Sequence, residues 1–328
     1  MKKLGLALLR TPLGTVFFQL TKGKFKNDKT SKYGDLWWYG YLFNFAGRIN
    51  LKKIKKKMKG YRAVRVIMPD FDYFYFYNTV FHLDCMSHII YELSQGYIPV
   101  IDDHHHVWSQ LFEQPVIIDG KEIGDISQLP ESDEFTTLHK PTLIPYSKSV
   151  RKVWTKLLRT FSRLKPEEQN YVNEEIRSIL KDDRVLGVVC RGTDYIGTGM
   201  PRQPEVSQVI AEAREWMDRY NYEKIYLATE VESIYEQFES AFPGKILVNK
   251  RTYYDKAMAE QNVKWIGQVQ FDRENDNYWK GLEYLSSLNI LASCKALLGG
   301  YCGASNMALL LNGEQYERFK VYDLGRSK

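Results

Sequence analysis

The sequence predicts an α/β protein with a parallel sheet in each half, and three observations carry that expectation. Runs such as Val185-Leu186-Gly187-Val188-Val189 and Ala296-Leu297-Leu298-Gly299-Gly300 are continuously apolar, the pattern of strands buried on both faces. Between them lie segments with apolar residues at helical spacing, of which Val206, Val209, Ile210 and Ala213 form one stripe. The two patterns alternate along the chain, and such alternation builds parallel sheets through helical crossovers.

In the first half, residues 62–68 read as a strand. Residues 81–95 follow as a helix with Leu83, Met86, Ile90 and Leu93 on one face. Gly96 ends that helix, and Tyr97-Ile98-Pro99-Val100-Ile101-Asp102 forms the next strand. Residues 116–148, with Gly120, Pro130, Pro141 and Pro145, read as a loop-rich excursion. Helices are expected over 149–161 and 166–181. The second opens at Pro166 with Glu167 and Glu168 in its first turn and buries Val172, Ile176, Ile179 and Leu180. Strands then fall near 185, 224, 245 and 296, alternating with helices near 205, 232, 282 and 304. The expected domains are a basic, aromatic segment over 1–60, a first α/β domain over 61–160 and a second over 161–328.

With 328 residues, 44% of them hydrophobic, the chain is long enough for two packed cores. Cys85, Cys190, Cys294 and Cys302 are widely spaced with no Cys-x-x-Cys pair, which points to neither a zinc site nor a disulfide framework and fits a reducing compartment. The net charge of +6 is unevenly spread: residues 1–65 hold 17 Lys and Arg against Asp28 and Asp35, and the remainder is net acidic. Lys52, Lys53, Lys55, Lys56, Lys57 and Lys59 form either a solvated helix face or, with Phe17, Phe18, Trp37, Trp38 and Phe43, a contact for an anionic membrane surface. Nucleic acid is not an expected partner, since basic charge alone is an unspecific footprint. Leu4 to Leu20 is interrupted by Arg10 and Pro12 and is too short to span a bilayer. A cytoplasmic protein, peripheral on the inner face of the cytoplasmic membrane, is the consistent expectation.

The chemistry concentrates in Val189-Cys190-Arg191-Gly192-Thr193-Asp194-Tyr195-Ile196-Gly197-Thr198-Gly199, just past a buried strand. Ligands in open α/β sheets bind beyond the carboxyl ends of the strands. Arg191 stands there with planar, always-charged donors suited to a phosphate, and Gly192 and Gly197 permit close backbone approach. The alternative is an Arg191–Asp194 ion pair that only fixes the turn.

The order of this turn, the strand end Leu227-Ala228-Thr229-Glu230 and the turn Tyr301-Cys302-Gly303-Ala304-Ser305 resembles the α1,6-fucosyltransferases, including the nodulation type. More distantly it resembles the α1,2- and protein O-fucosyltransferases. The likeness covers roughly residues 184 to 312. It implies a GT-B-like fold, two Rossmann-like domains facing a cleft, with GDP-fucose as donor substrate and no metal or other cofactor. Carried across by position, Arg191 holds the diphosphate, Asp194 orients the turn and Glu230 receives the guanine N–H groups. Gly192, Thr193, Thr229, Cys302, Gly303 and Ser305 line the donor. Asn78, ahead of the first helix, corresponds to a donor-binding asparagine or is a helix N-cap. Val189 stands where the α1,6 enzymes have a histidine, Gly192 replaces a second arginine and Gly199 replaces a glutamate. These departures leave open another nucleotide sugar, or a noncatalytic glycan-binding relative.

Asp102-Asp103-His104-His105-His106 invites a metal reading, yet consecutive histidines diverge where metal ligands must converge. At the end of a strand in the acceptor domain, Asp103 or His105 is instead the candidate to take the acceptor hydroxyl proton. Asp70-Phe71-Asp72 has the form of a metal-binding Asp-x-Asp, followed by aromatics that suit a sugar or a packed loop. No P-loop and no Gly-x-Ser-x-Gly elbow occurs. The expectation is an inverting transfer of fucose from GDP-fucose to a glycan or lipid-linked oligosaccharide, in the synthesis of cell-surface polysaccharide or glycoconjugate.

Overall fold

A computed structural model describes residues 62–68, 76–95, 97–103, 105–114, 125–132, 148–181, 183–193, 195, 199–249 and 253–327. The basic N-terminal segment with its expected membrane contact, Asp70-Phe71-Asp72, His104, Asp194 and Gly197 lie outside the described residues. Among the described residues no helix is long and apolar enough to cross a membrane. The fold is α/β with parallel sheets, in two units. The first draws on described residues within 62–68, 80–103 and 112–163; the second draws on 76–79, 105–111 and 164–327. Two short pieces of the first half of the sequence therefore belong to the second unit.

In the first unit, β1 (Arg62–Ile67) and β2 (Tyr97–Asp102) pair in parallel from Arg62↔Tyr97 to Ile67↔Asp102. Parallel neighbours need a crossover, and α1 (Thr79–Gln95) supplies it. This helix buries apolar Phe81, Cys85, Met86 and Ile89 but also His82, Asp84, His88 and Glu92. Buried polar groups require partners. His82 Nε2 lies 2.8 Å from the Ser162 hydroxyl, and Glu92 Oε1 accepts the Ser132 hydroxyl at 2.8 Å. The short helix α2 (Trp108–Leu111) belongs to the second unit, and α3 (Lys148–Phe161) adds Trp154, Leu157, Leu158 and Phe161 to the buried apolar residues.

The second unit opens with α4 (Pro166–Leu180), whose Pro at the first turn and following Glu167 and Glu168 are where the sequence places them. Its sheet consists of β3 (Val185–Val189), β4 (Lys224–Ala228), β5 (Ile246–Leu247), β6 (Ala296–Gly300) and β7 (Arg318–Tyr322). All pairings are parallel and the order is β5-β4-β3-β6-β7. The chain thus builds outward from β3 in one direction, then returns to build outward in the other, a doubly wound Rossmann-like sheet.

Both faces of β3 are covered, which is why its run carries no polar residue. Leu186 and Val188 face α5 (Val206–Tyr220) and α6 (Glu232–Ala241), in a core that includes Val209, Ala213, Trp216, Ile234 and Phe238. The opposite face meets α8 (Asp276–Ser293), which follows α7 (Tyr254–Glu260). A Cβ on Gly187 would stand 3.2 Å from Leu291, and the Tyr226 hydroxyl donates to Asn249 Oδ1 at 2.8 Å and lies 2.9 Å from the Ser287 hydroxyl. Helix α9 (Gly303–Asn312) follows β6 directly. The edge strand β7 and helix α7 carry too weak a pattern to be read from sequence; β7 has a single buried residue, Tyr322.

Candidate donor site at the carboxyl ends of β3, β4 and β6

The reversal of winding lies between β3 and β6, where the loops leaving the two strands turn to opposite sides of the sheet and open a crevice. Arg191 is two residues beyond β3, and the first turn of α9 begins three residues beyond β6. The strand ends meet closely here: a Cβ on Gly299 would lie 2.3 Å from the Val189 carbonyl oxygen. Only glycine fits, so β6 can deliver Cys302 and Gly303 beside the turn that carries Arg191.

Glu230, just past β4, organises that turn. Its Oε1 accepts the Gly192 N–H at 2.9 Å, the Thr193 N–H at 3.3 Å and the Thr193 hydroxyl at 3.1 Å, while Oε2 faces Arg191 Nη1 at 3.3 Å. The carboxylate is 2% exposed and the arginine 15%. Sequence reasoning gives Glu230 to a guanine edge; the geometry instead turns both of its oxygens to residues 191–193. Gly192 is likewise a packing requirement, because a Cβ there would stand 2.9 Å from Val231 and 3.1 Å from Ile234. Thr229 is buried, and its hydroxyl oxygen accepts the Val231 N–H at 3.2 Å at the start of α6.

On the β6 side, Ser305 is fully buried and donates to the Gly300 carbonyl at 2.5 Å, with its oxygen 3.3 Å from Cys302 Sγ. Its hydroxyl braces the turn rather than reaching toward a ligand. Burial pushes the Cys302 thiol up in pKa against the pull of nearby Arg191, so the sulfur stays neutral. Gln203 ties the 200–204 segment to the same turn by donating to the Tyr301 carbonyl at 2.9 Å. The missing Cβ of Gly300 makes room for its carboxamide.

Tyr195 packs on Arg191 and is the residue sequence reasoning missed. The Arg191 guanidinium carbon lies 4.8 Å from the centre of its ring. Burial raises its pKa against the pull of Arg191, so the phenol is neutral. The available signal was an aromatic directly after the Arg-Gly-Thr-Asp turn.

Residues 76–79 also reach this region. A Cβ on Gly281 of α8 would stand 3.0 Å from the Cβ of Tyr77, the Tyr77 and Tyr284 rings are 5.9 Å apart, and a Cβ on Gly303 would lie 2.1 Å from the Thr79 hydroxyl. Asn78, between them, donates to the Phe76 carbonyl at 3.4 Å and is partly buried. The structure therefore places Arg191, Thr193, Glu230, Cys302, Gly303 and Asn78 within one unit.

Asp103 belongs to the other unit, at the end of β2 and only 7% exposed; with Asp84 it adds to the burial that raises the Cys85 thiol. His105 is exposed on a turn of the second unit. Its neighbour His106 is buried, accepts the Trp108 N–H on Nδ1 at 3.1 Å and has its pKa lowered to about 3 by burial. Among the described residues no group of three or more His, Cys, Asp or Glu stands together as a metal site requires. An open groove between α5 and α6, lined in part by Ser207, Arg214, Glu236 and Gln237, lies on the helical layer away from the strand ends.

No family model and no curated protein matches the chain. Solved structures do. The NodZ α-1,6-fucosyltransferase soaked with GDP-fucose is 14% identical with a TM-score of 0.47, over 80% of this chain and 96% of that one. Fucosyltransferase NodZ from Bradyrhizobium is 13% identical with a TM-score of 0.46, over 80% and 96%. A mutant of Arabidopsis thaliana FUT1 in complex with GDP is 10% identical with a TM-score of 0.44, over 95% and 84%. Each of these three solved structures to which the chain is similar is a fucosyltransferase.

Proposed function

We propose that the chain is a glycosyltransferase that moves fucose from GDP-fucose to a glycan hydroxyl with inversion at the anomeric carbon, without a metal. The observation that carries this reading is the position of Arg191. It is a guanidinium two residues beyond the central strand of a doubly wound sheet, at the reversal of winding, beside the strand β6 that leads into the N-terminus of α9. An arginine and a helix N-terminus together are suited to a diphosphate. In the proposed reaction the bond from the anomeric carbon to the β-phosphate oxygen breaks, and its electron pair leaves with GDP. Arg191 and α9 N–H groups stabilise that developing charge in a partly dry site, where fixed donors count most. The acceptor oxygen attacks the opposite face of the sugar and gives up its proton to a general base. The acceptor is proposed to be a cell-surface glycan or a lipid-linked oligosaccharide.

Glu230 is proposed to position Arg191 rather than to read the base, since its oxygens already serve the turn. Calorimetric titration with GDP, UDP and CDP tests the donor. A preference for GDP is the expected result, and a clear preference for UDP would overturn the assignment.

A further inference from the structure

Glu230 holds residues 191–193 as they leave β3, and residues 199–202 are held by a distant part of the chain. Past β7 the Asp323 carboxylate accepts the Gly325 N–H at 3.3 Å, and Gly325 turns the backbone with a φ of 76°, a conformation that favours glycine. Residues 325–327 then run antiparallel to residues 199–202, with Arg326 opposite Pro201. The Gly199 N–H donates to the Ser327 carbonyl at 3.0 Å, the Ser327 N–H to the Met200 carbonyl at 3.0 Å and the Arg202 N–H to the Gly325 carbonyl at 2.9 Å. Two side chains add to this ladder. Arg326 Nη1 donates to the Gly199 carbonyl at 2.6 Å, and the Ser327 hydroxyl donates to the Met200 carbonyl at 3.1 Å.

We propose that residues 325–327 form a strap that positions the donor turn, with Arg326 and Ser327 as its positioning residues. The inference rests on the donor-site reading above and states how that site is kept in shape for its ligand. The strapped segment reaches both sides of the crevice. It closes the connection that begins at Arg191, and Gln203, one residue beyond it, donates to the Tyr301 carbonyl two residues ahead of α9. The end of β7 bonds the same turn, because the Tyr301 N–H donates to the Tyr322 carbonyl at 3.0 Å. A connection held at both ends samples fewer conformations than one held at a single end, so a ligand that requires one of them loses less freedom in ordering it. Residues 323–326 are exposed, so loss of a strap bond should act on the donor turn more than on the packed core.

The test is calorimetric titration of GDP into the unmodified chain, Arg326→Ala, Arg326→Lys and Ser327→Pro, with a urea midpoint for each. Arg326→Ala should bind GDP about threefold more weakly, the effect of one exposed hydrogen bond. Arg326→Lys keeps a charged donor for the Gly199 carbonyl and should bind within about twofold of the unmodified chain. Ser327→Pro removes both the N–H and the hydroxyl that serve Met200 while leaving every charge in place, and Arg326, extended in its bridge, accepts a following proline. It should bind about fivefold more weakly. The urea midpoints should stay close to that of the unmodified chain. A strap that served stability alone would lower the midpoints and leave GDP affinity unchanged, which would overturn the inference. Ser327→Pro binding as tightly as the unmodified chain, or Arg326→Lys binding no better than Arg326→Ala, would overturn it as well, with the donor site left standing. An unmodified chain that binds GDP no better than inorganic phosphate would instead remove the donor-site reading, and the strap's role with it.

Discussion

Arg191 and Glu230 face each other at 3.3 Å across the ends of adjacent strands β3 and β4, the carboxylate almost wholly buried and the guanidinium largely so. The pair sets the shape of the turn, because the same carboxylate also holds two backbone N–H groups and the Thr193 hydroxyl. Fold stability and ligand binding are coupled at this point.

Glu230→Ala leaves the guanidinium without its carboxylate and strips three bonds from the turn, so it should destabilise the chain by about 3 kcal/mol, as when one partner of a buried pair is removed. Glu230→Gln, which keeps an acceptor oxygen, should cost less. Urea midpoints of the two variants check the order, and equal midpoints for Glu230→Ala and the unmodified chain would contradict the arrangement.

Arg191→Ala should remain folded, because Glu230 retains its bonds from residues 192 and 193. It should lose GDP release from GDP-fucose by about a hundredfold or more, the effect of removing one donor from a developing charge. Arg191→Lys retains the charge but not the planar fork, and should recover only part of that loss. Near-normal turnover in Arg191→Ala would refute the role.

Gly299→Ala places a methyl 2.3 Å from the Val189 carbonyl oxygen, a backbone atom that cannot rotate away. The β3 and β6 ends must part, at a cost of about 2 kcal/mol or more. Thermal melting should show a clear drop in Tm, together with weaker GDP binding since Cys302 and Gly303 shift with β6. A variant that melts with the unmodified chain would show that the strands do not meet this closely.

His106 and His88 are buried, and burial lowers their pKa values to about 3 and about 4. Each is neutral in the folded chain and takes up a proton on unfolding at pH values between its folded pKa and about 6.5. Their contribution to stability is fully present above pH 6.5 and is lost as pH falls toward the folded values, at up to about 1.4 kcal/mol per pH unit for each histidine. Urea unfolding between pH 7 and pH 5 should show this decline, and His106→Gln should flatten it. A His106→Gln variant with an unchanged pH slope would show that this histidine is not the source.

Much of the second unit was legible in the residues themselves. The apolar runs at 185–189 and 296–300 and the stripe at Val206, Val209 and Ala213 are local patterns, set by which faces of a segment are buried, and they appear as β3, β6 and α5. The weak elements were missed because an edge strand such as β7 is covered on too little of its surface to write a pattern. The site divided along the same line. Arg191, Thr193, Cys302 and Gly303 stand beside strand ends, where a short segment already shows the change from apolar run to polar turn. The commitment of Glu230 to residues 191–193 joins positions 37 or more apart, and no local pattern reports such a pairing.

The sequence by itself determined the α/β class, the strand and helix alternation and the place of a cationic turn at the end of a buried strand, because each depends on burial and backbone preference over a few neighbouring residues. Only the tertiary structure decided that β3 is flanked by β4 and β6, that residues 76–79 join the second unit, and that Glu230 serves residues 191–193. Strand order and side-chain pairing are chosen by the free energy of packing the whole unit, in which residues distant along the chain compete for the same partners.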